Sequence, residues 1–315
     1  MRRFVILIAT VALLIFSTIW VSSCSQLDDY EGNSGALVIG VIEDTNLAES
    51  SGLAVSKLNT NTLWSHNDSD NSPSLIALDL QGKFRAKVNV QGVENIDWED
   101  MAAFEYNEKS YLIIADTGDN FALRDEYLLH IIQEPLLTKG RYLNPIQVIP
   151  EWSISYTYAD GPRDCESIAI DIINEKIILL SKRDEQPILF ELTLNSDTPQ
   201  VATSLGAVPS FPKPSKPKFS FIYLLGYSSQ PTAMDISSDG RFAAVLTYDS
   251  AFLYESKGST DWHTVLSSTP VRYELPSMKQ AESLAFSSDN RSIYVTTEHL
   301  PAPIIAFPVD VALSP

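Results

Sequence analysis

Residues 280–299 read Gln280-Ala-Glu-Ser-Leu-Ala-Phe-Ser-Ser-Asp-Asn-Arg-Ser-Ile-Tyr-Val-Thr-Thr-Glu-His299. An acidic residue leads, a small polar one follows, and a short apolar run gives way to a polar turn, a second β-rich run and a polar cluster. The same layout recurs upstream, led by Ser51, Glu99, Glu166 and Thr232. Short apolar runs separated by turn formers are strand signals, and no long amphipathic helix competes with them.

Working outward, each unit offers about four strands. The first has Ser51-Gly-Leu-Ala-Val, Thr62-Leu-Trp-Ser, Ser74-Leu-Ile-Ala-Leu and Phe84 to Val90; the second includes a single segment from Ile146 to Tyr158. The fifth ends with only three strands, at Pro303-Ile-Ile-Ala-Phe, whereas Leu37 to Ile42 is an apolar run with no hairpin partner beside it. Pairing the spare strand with the vacancy closes a ring and protects sheet edges. The expectation is an all-β fold, a five-bladed β-propeller of four-stranded blades closed by the N-terminal strand. Six blades is the alternative if residues 209–230, rich in proline and lysine, conceal a further unit. Otherwise that stretch is a mobile surface loop or a lid over the site. An open sandwich would not demand equivalent leading residues.

The chain start differs from the rest. Arg2 and Arg3 precede an almost continuous apolar run, Phe4 to Trp20, and Val21-Ser22-Ser23 stand directly before Cys24. This reads as a signal peptide over residues 1–23, with an uncleaved anchor as the competing reading. The pattern resembles a bacterial lipobox, with Val21 in place of the commoner leucine, and the resemblance implies lipidation of Cys24. Residues 24–35 form a lipidated tether and 36–315 the propeller domain. The expected location is the cell envelope, as a membrane-anchored lipoprotein facing the periplasm or exterior. Only Cys165 then remains, so no internal disulfide forms; a buried structural role suits it better than a nucleophile's.

The formal charge is −18, and cleavage would remove two arginines and no acids, leaving −20. Such a balance makes nucleic acid and anionic membrane surfaces poor candidate partners and favours cations. In a propeller the first strand of each unit is innermost, so Ser51, Glu99, Glu166, Thr232 and Glu282 would ring one end of the central channel. Three carboxylates and two hydroxyls there suit a hard divalent cation, calcium above all; no histidine or thiolate stands in register for zinc. A hydrated polar channel with the acids spread apart is the alternative.

A second register collects residues at the same mouth: His66, Asn67, Asp68, Asp70, Asp116, Asp119, Asn120, Lys182, Arg183, Tyr248, Asp249, Glu298 and His299. Cations amid acids suit a phosphate or carboxylate held beside a metal ion, although each cluster taken alone is also ordinary turn chemistry. There is no phosphate-cradling glycine loop, no Gly-x-Ser-x-Gly elbow and no complete calcium-hand loop.

At the leading residues the chain resembles the bacterial SdiA-regulated propeller family, whose order Ser, Glu, Glu, Ser, Glu is matched here by Ser51, Glu99, Glu166, Thr232 and Glu282. The similarity covers most of residues 36–310 and is densest from Gln280 to Glu298. The same ring is similar to that of the calcium-dependent apyrases, and more distantly to phytase-like esterase propellers. The resemblance implies a channel calcium and, from the apyrases, hydrolysis of nucleoside di- or triphosphates at the mouth. The mouth loops at 66–71 and 116–120 differ from theirs.

Two functions follow. In the first, a calcium-stiffened lipoprotein binds a small anionic ligand or an envelope partner at the mouth. In the second, a calcium-dependent phosphohydrolase uses Lys182 and Arg183 to stabilise charge and Asp116 or Glu298 to position water.

Overall fold

The computed structural model describes residues 35–196, 198–213, 227–276 and 278–309. Residues 1–34, where the signal peptide, Cys24 and most of the tether are expected, the core of the 209–230 stretch and residues 310–315 lie outside it. The chain is all-β: β1 (Leu37–Ile42) is followed by five antiparallel units of four strands. The first unit is β2 (Ser50–Val55), β3 (Thr62–Asn67), β4 (Ser74–Asp79) and β5 (Phe84–Val90). The second holds β6 (Trp98–Tyr106), β7 (Lys109–Asp116), β8 (Tyr127–Gln133) and, after β9 (Ile146–Val148), β10 (Trp152–Tyr158). The third is β11 (Ile168–Asp171), β12 (Lys176–Leu180), β13 (Ile188–Thr193) and β14 (Gln200–Ala207). The fourth is β15 (Pro231–Ile236), β16 (Phe242–Thr247), β17 (Ser250–Glu255) and β18 (Val271–Glu274). The last is β19 (Ala281–Phe286), β20 (Ser292–Thr297), β21 (Ala302–Pro308) and β1 itself.

Closure occurs as the spare strand requires: Leu37 to Ile42 pairs antiparallel with Ala302 to Ala306. The strand also crosses the β4–β5 turn, where Val41 donates its amide to Gln81 O at 3.1 Å. Gly82 makes that crossing feasible, because it takes φ +81° and a Cβ there would overlap the Val41 carbonyl.

Alternation of side chains along the strands gives each unit two apolar faces, and each face meets a different neighbour. Leu63 and Ile76 pack against Ala285 and Ile304 of the last unit. Trp64 and Leu75 pack against Trp98, Leu112 and Ile114 of the second. Ile113 and Tyr156 meet Ile168 and Phe190, Ile178 and Leu189 meet Met234 and Val245, and Leu246 and Leu253 meet Leu284 and Val295. Five inter-unit cores thus form a cycle, with β2, β6, β11, β15 and β19 adjoining one another in order around the axis. This is a β-propeller. No sixth unit occurs among the described residues.

One expected segment divides. Ile146 to Tyr158 is two strands, because Pro150 lacks an amide hydrogen and ends the ladder. The first part, β9, adds parallel to β5 of the first unit, while β10 completes the second. The outer strand β10 also pairs parallel with β14, fusing the second and third units into one eight-stranded sheet. A short helix, α1 (Trp262–Leu266), is capped by Asp261, which accepts from the amides of His263 and Thr264.

Candidate functional site: a carboxylate bowl at the channel end

The leading residues share a local device. Ladder registers slip between Ser50 and Gly52, Trp98 and Asp100, Pro231 and Ala233, and Ala281 and Ser283. Ser51, Glu99, Thr232 and Glu282 are therefore bulge residues, unpaired in the ladder and re-aimed. In the third unit Lys182 donates to Asp164 O and Leu180 to Ser167 O, bracketing Glu166 with the same surplus residue. All five side chains are buried.

They are not equivalent. One oxygen each from Glu99, Asp164 and Glu166 lie within 4.8 Å of one another, and the same holds for Asp68, Asp97 and Glu99. Glu99 belongs to both triplets. Glu282 joins neither; it shares a hydrogen bond with Glu298. The Ser51 hydroxyl donates to Glu99 O at 3.2 Å and that of Thr232 to Ala281 O at 2.8 Å, so each latches its unit to the next.

Asp97 and Asp164 were not among the residues singled out from the sequence. Both stand two positions before a leading glutamate, in Asp97-Trp-Glu99 and Asp164-Cys-Glu166. That repeated Asp-x-Glu at the entry to an inner strand was the available signal. Gly118 was missed too: a Cβ there would overlap Glu99 Oε1 and Asp97 Oδ2. Its missing side chain leaves the room in which those oxygens converge, and its amide donates to Asp97 O at 3.1 Å.

The electrostatics are those of acids forced together. Burial, then the charges of Asp68 and Asp164, push Asp97 up to about 6. Burial raises Glu166 to about 8 even though Lys182 opposes the shift. Burial, then Glu166 and Asp97, hold Glu99 well above the usual carboxylate range. Burial also raises Asp68, Glu282 and Glu298. Lys182 is the counter-charge inside the bowl. Its ammonium pairs with Glu166, bonds Tyr248 OH at 3.0 Å and sits over that ring. Burial works against its charge, but Glu166, Tyr248, Glu282 and Glu99 together outweigh burial and hold its pKa well above the usual lysine range.

The remaining mouth residues divide by task. Asp116 accepts the amides of Ile96 and Asp97 and pairs with Arg124 at 2.7 Å. Asp119 accepts the amides of Leu123 and Arg124 and the Tyr127 hydroxyl, which outweigh the effect of its burial and lower its pKa. These two aspartates brace the loop around Gly118. Arg183 pairs with Asp164 at 2.5 Å and bonds Asn120. Asn67 ties residues 46 and 49 together, accepting from Glu49 N and donating to Asn46 O. His66 is fully buried against Trp98, its basicity depressed to about 4 by burial, with Nε2 unpartnered. Asp249 is buried, and its carbonyl accepts from Leu275. Exposed His299 bonds Gln280 Oε1 at 3.0 Å. Cys165 is wholly buried, and burial pushes its thiol up to about 12, which suits packing rather than attack.

No family model matches the sequence, and no curated protein matches it either. Among solved structures, a gluconolactonase from Xanthomonas campestris is similar at a TM-score of 0.44 and 8% identity, covering 83% of this chain and 73% of that one. U3-55K is similar at a TM-score of 0.38 and 12% identity, covering 82% of this chain and 68% of its own. No residue role is carried over from either.

Proposed function

We propose that this chain is an exported, membrane-anchored lipoprotein of the SdiA-regulated type whose propeller binds calcium and holds a small anionic ligand or envelope partner at the mouth. The observation that carries the reading is the convergence of Asp68, Asp97, Asp164 and Glu166 on Glu99, in space that Gly118 leaves open. Every donor in the two triplets is a hard oxygen, and no histidine nitrogen enters them, which suits calcium rather than zinc. Glu99, Asp97, Asp68, Asp164 and Glu166 would hold the ion. Bound there, it would relieve the mutual repulsion that raises these acids and offer positive charge to an anionic ligand. Arg183 stands beside Asp164 to share that ligand's charge.

Calorimetric titration of chelator-treated protein with calcium, magnesium and zinc tests this. Calcium should bind with one site per chain, release protons and bind far more weakly to Glu99→Gln. Equal binding by the Glu99→Gln variant, or no binding at all, removes the reading.

The phosphohydrolase reading stands second, favoured by Arg183, which pairs with Asp164 of the acidic cluster and can take up a phosphate's charge beside the ion. Phosphate release from nucleotides and simple phosphoesters, with calcium and with chelator, separates the two. No turnover in either condition rejects hydrolysis and leaves binding standing.

A further inference from the structure

The innermost strands run in parallel from the bowl to the far end of the channel. Residues three to six positions beyond each leading residue therefore lie roughly 10–20 Å away, at about 3.3 Å per residue. A second cavity, of about 330 Å³, opens there, and all five units wall it: Lys57, Phe104, Ile170 with Ile172, Asp235 and Ser288. Asp100, one residue deeper than Glu99, lies between the two sites with its carboxylate bound to the amides of Ile168 and Met234.

The cavity wall holds two part-buried charges of opposite sign, Lys57 and Asp235, and a third charge, Glu105, that is exposed to solvent. Asp235 is only partly buried; its carboxylate is aimed by the amides of Ile236 and Phe286 at 2.8 and 2.9 Å, which leaves each oxygen a further lone pair. Lys57 lies close enough to act on the Asp235 charge, yet the two form no ion pair within 4.0 Å. Buried Phe104 and Ile170 supply apolar wall. A singly charged ligand would leave the other charge desolvated without a partner, which is costly. A ligand bearing both charges satisfies both, and the volume sits at the small end of ligand pockets.

We propose that this far cavity is a binding site for a small zwitterion of the amino-acid class, with its carboxylate toward Lys57, its ammonium toward Asp235 and an apolar side chain against Phe104 and Ile170. The site is separate from the carboxylate bowl and does not require its cation.

Titration calorimetry of the full chain at pH 7.5 with L-leucine and L-phenylalanine, run both in calcium and in chelator, tests the proposal. Saturable binding of at least one is expected in both conditions. The corresponding amide, lacking the carboxylate, and the N-acetyl derivative, lacking the ammonium, should each bind at least about tenfold more weakly, as should Lys57→Met with the parent amino acid. Asp235→Asn retains an acceptor for one of the two amides and should also lose binding; if it unfolds, Lys57→Met carries the test. No binding by either amino acid, or equal binding by a singly charged derivative, overturns the zwitterion site. Binding seen only with calcium would move the ligand to the bowl and also overturn it. Failure of calcium itself to bind would count only against the function proposed for the bowl.

Discussion

The Asp100 carboxylate accepts the amide hydrogen of Met234 at 3.2 Å, although 134 positions and an intervening unit separate them in the chain. The same oxygen takes the Ile168 amide at 2.9 Å, so one carboxylate ties three inner strands together. Burial pushes this carboxyl well above the usual range despite its amide bonds. Asp100→Ala should cost about 3–5 kcal/mol by stranding buried amides, whereas Asp100→Asn, whose one oxygen can keep the Ile168 and Met234 amides but not that of Met101, should cost less, about 1–3 kcal/mol. Denaturant unfolding of the two variants checks the difference, and equal losses would dissociate stability from the amide contacts.

Gly118→Ala places a methyl group where Glu99 and Asp97 oxygens converge. The variant should fold, since Gly118 does not take a positive φ, but its calcium affinity should fall by about a hundredfold, near 3 kcal/mol. Calorimetry reads this directly; unchanged affinity would place the ion elsewhere.

In chelator, stability should fall as pH rises. The folded-state values of Asp97 and Glu166 are raised, to about 6 and about 8. The folded state therefore holds protons that the unfolded chain releases, and this stabilisation is fully present below pH ~4 and lost progressively up to pH ~8. Melting temperature in chelator should drop between pH 5 and 8. Calcium should raise it more at pH 8 than at pH 5, where protons compete for the same oxygens. A melting curve in chelator that rises with pH would contradict the assignment.

Lys182→Met removes the ammonium paired with Glu166. At pH 8 without calcium the loss should be about 3–5 kcal/mol, the usual cost of stranding one partner of a buried pair. At pH 5 the loss should shrink, because Glu166 takes a proton instead. Calcium should recover part of the deficit, as measured by thermal melts across the two conditions.

Much of the architecture was legible because strand alternation and turn chemistry repeat: the spare Leu37–Ile42 strand and the vacancy after Pro303 could be matched by counting. The leading register was legible for the same reason. What periodicity could not show was the bulge that turns Glu99 and Glu282 out of the ladder, since a surplus residue leaves no trace in an apolar pattern. Nor could it show that Glu282 turns to Glu298 while Glu99 turns to Glu166. The splitting at Pro150 was readable from the missing amide, but the parallel pairing of β10 with β14 joins two units through strands far apart in sequence. Gly118 escaped because its contribution is the absence of a side chain, which only the neighbouring oxygens reveal.

The pairing of β1 with β21 also has a consequence for synthesis. While the chain is being translated, β1 has no permanent partner until β21 has been made. Until then Ile42 and Leu53 lack the face that Ala302 and Ile304 complete. The nascent chain therefore carries an open, adhesive seam until the fifth unit is made, and the synthesis of β21, rather than any earlier local event, sets the earliest moment at which that seam can close.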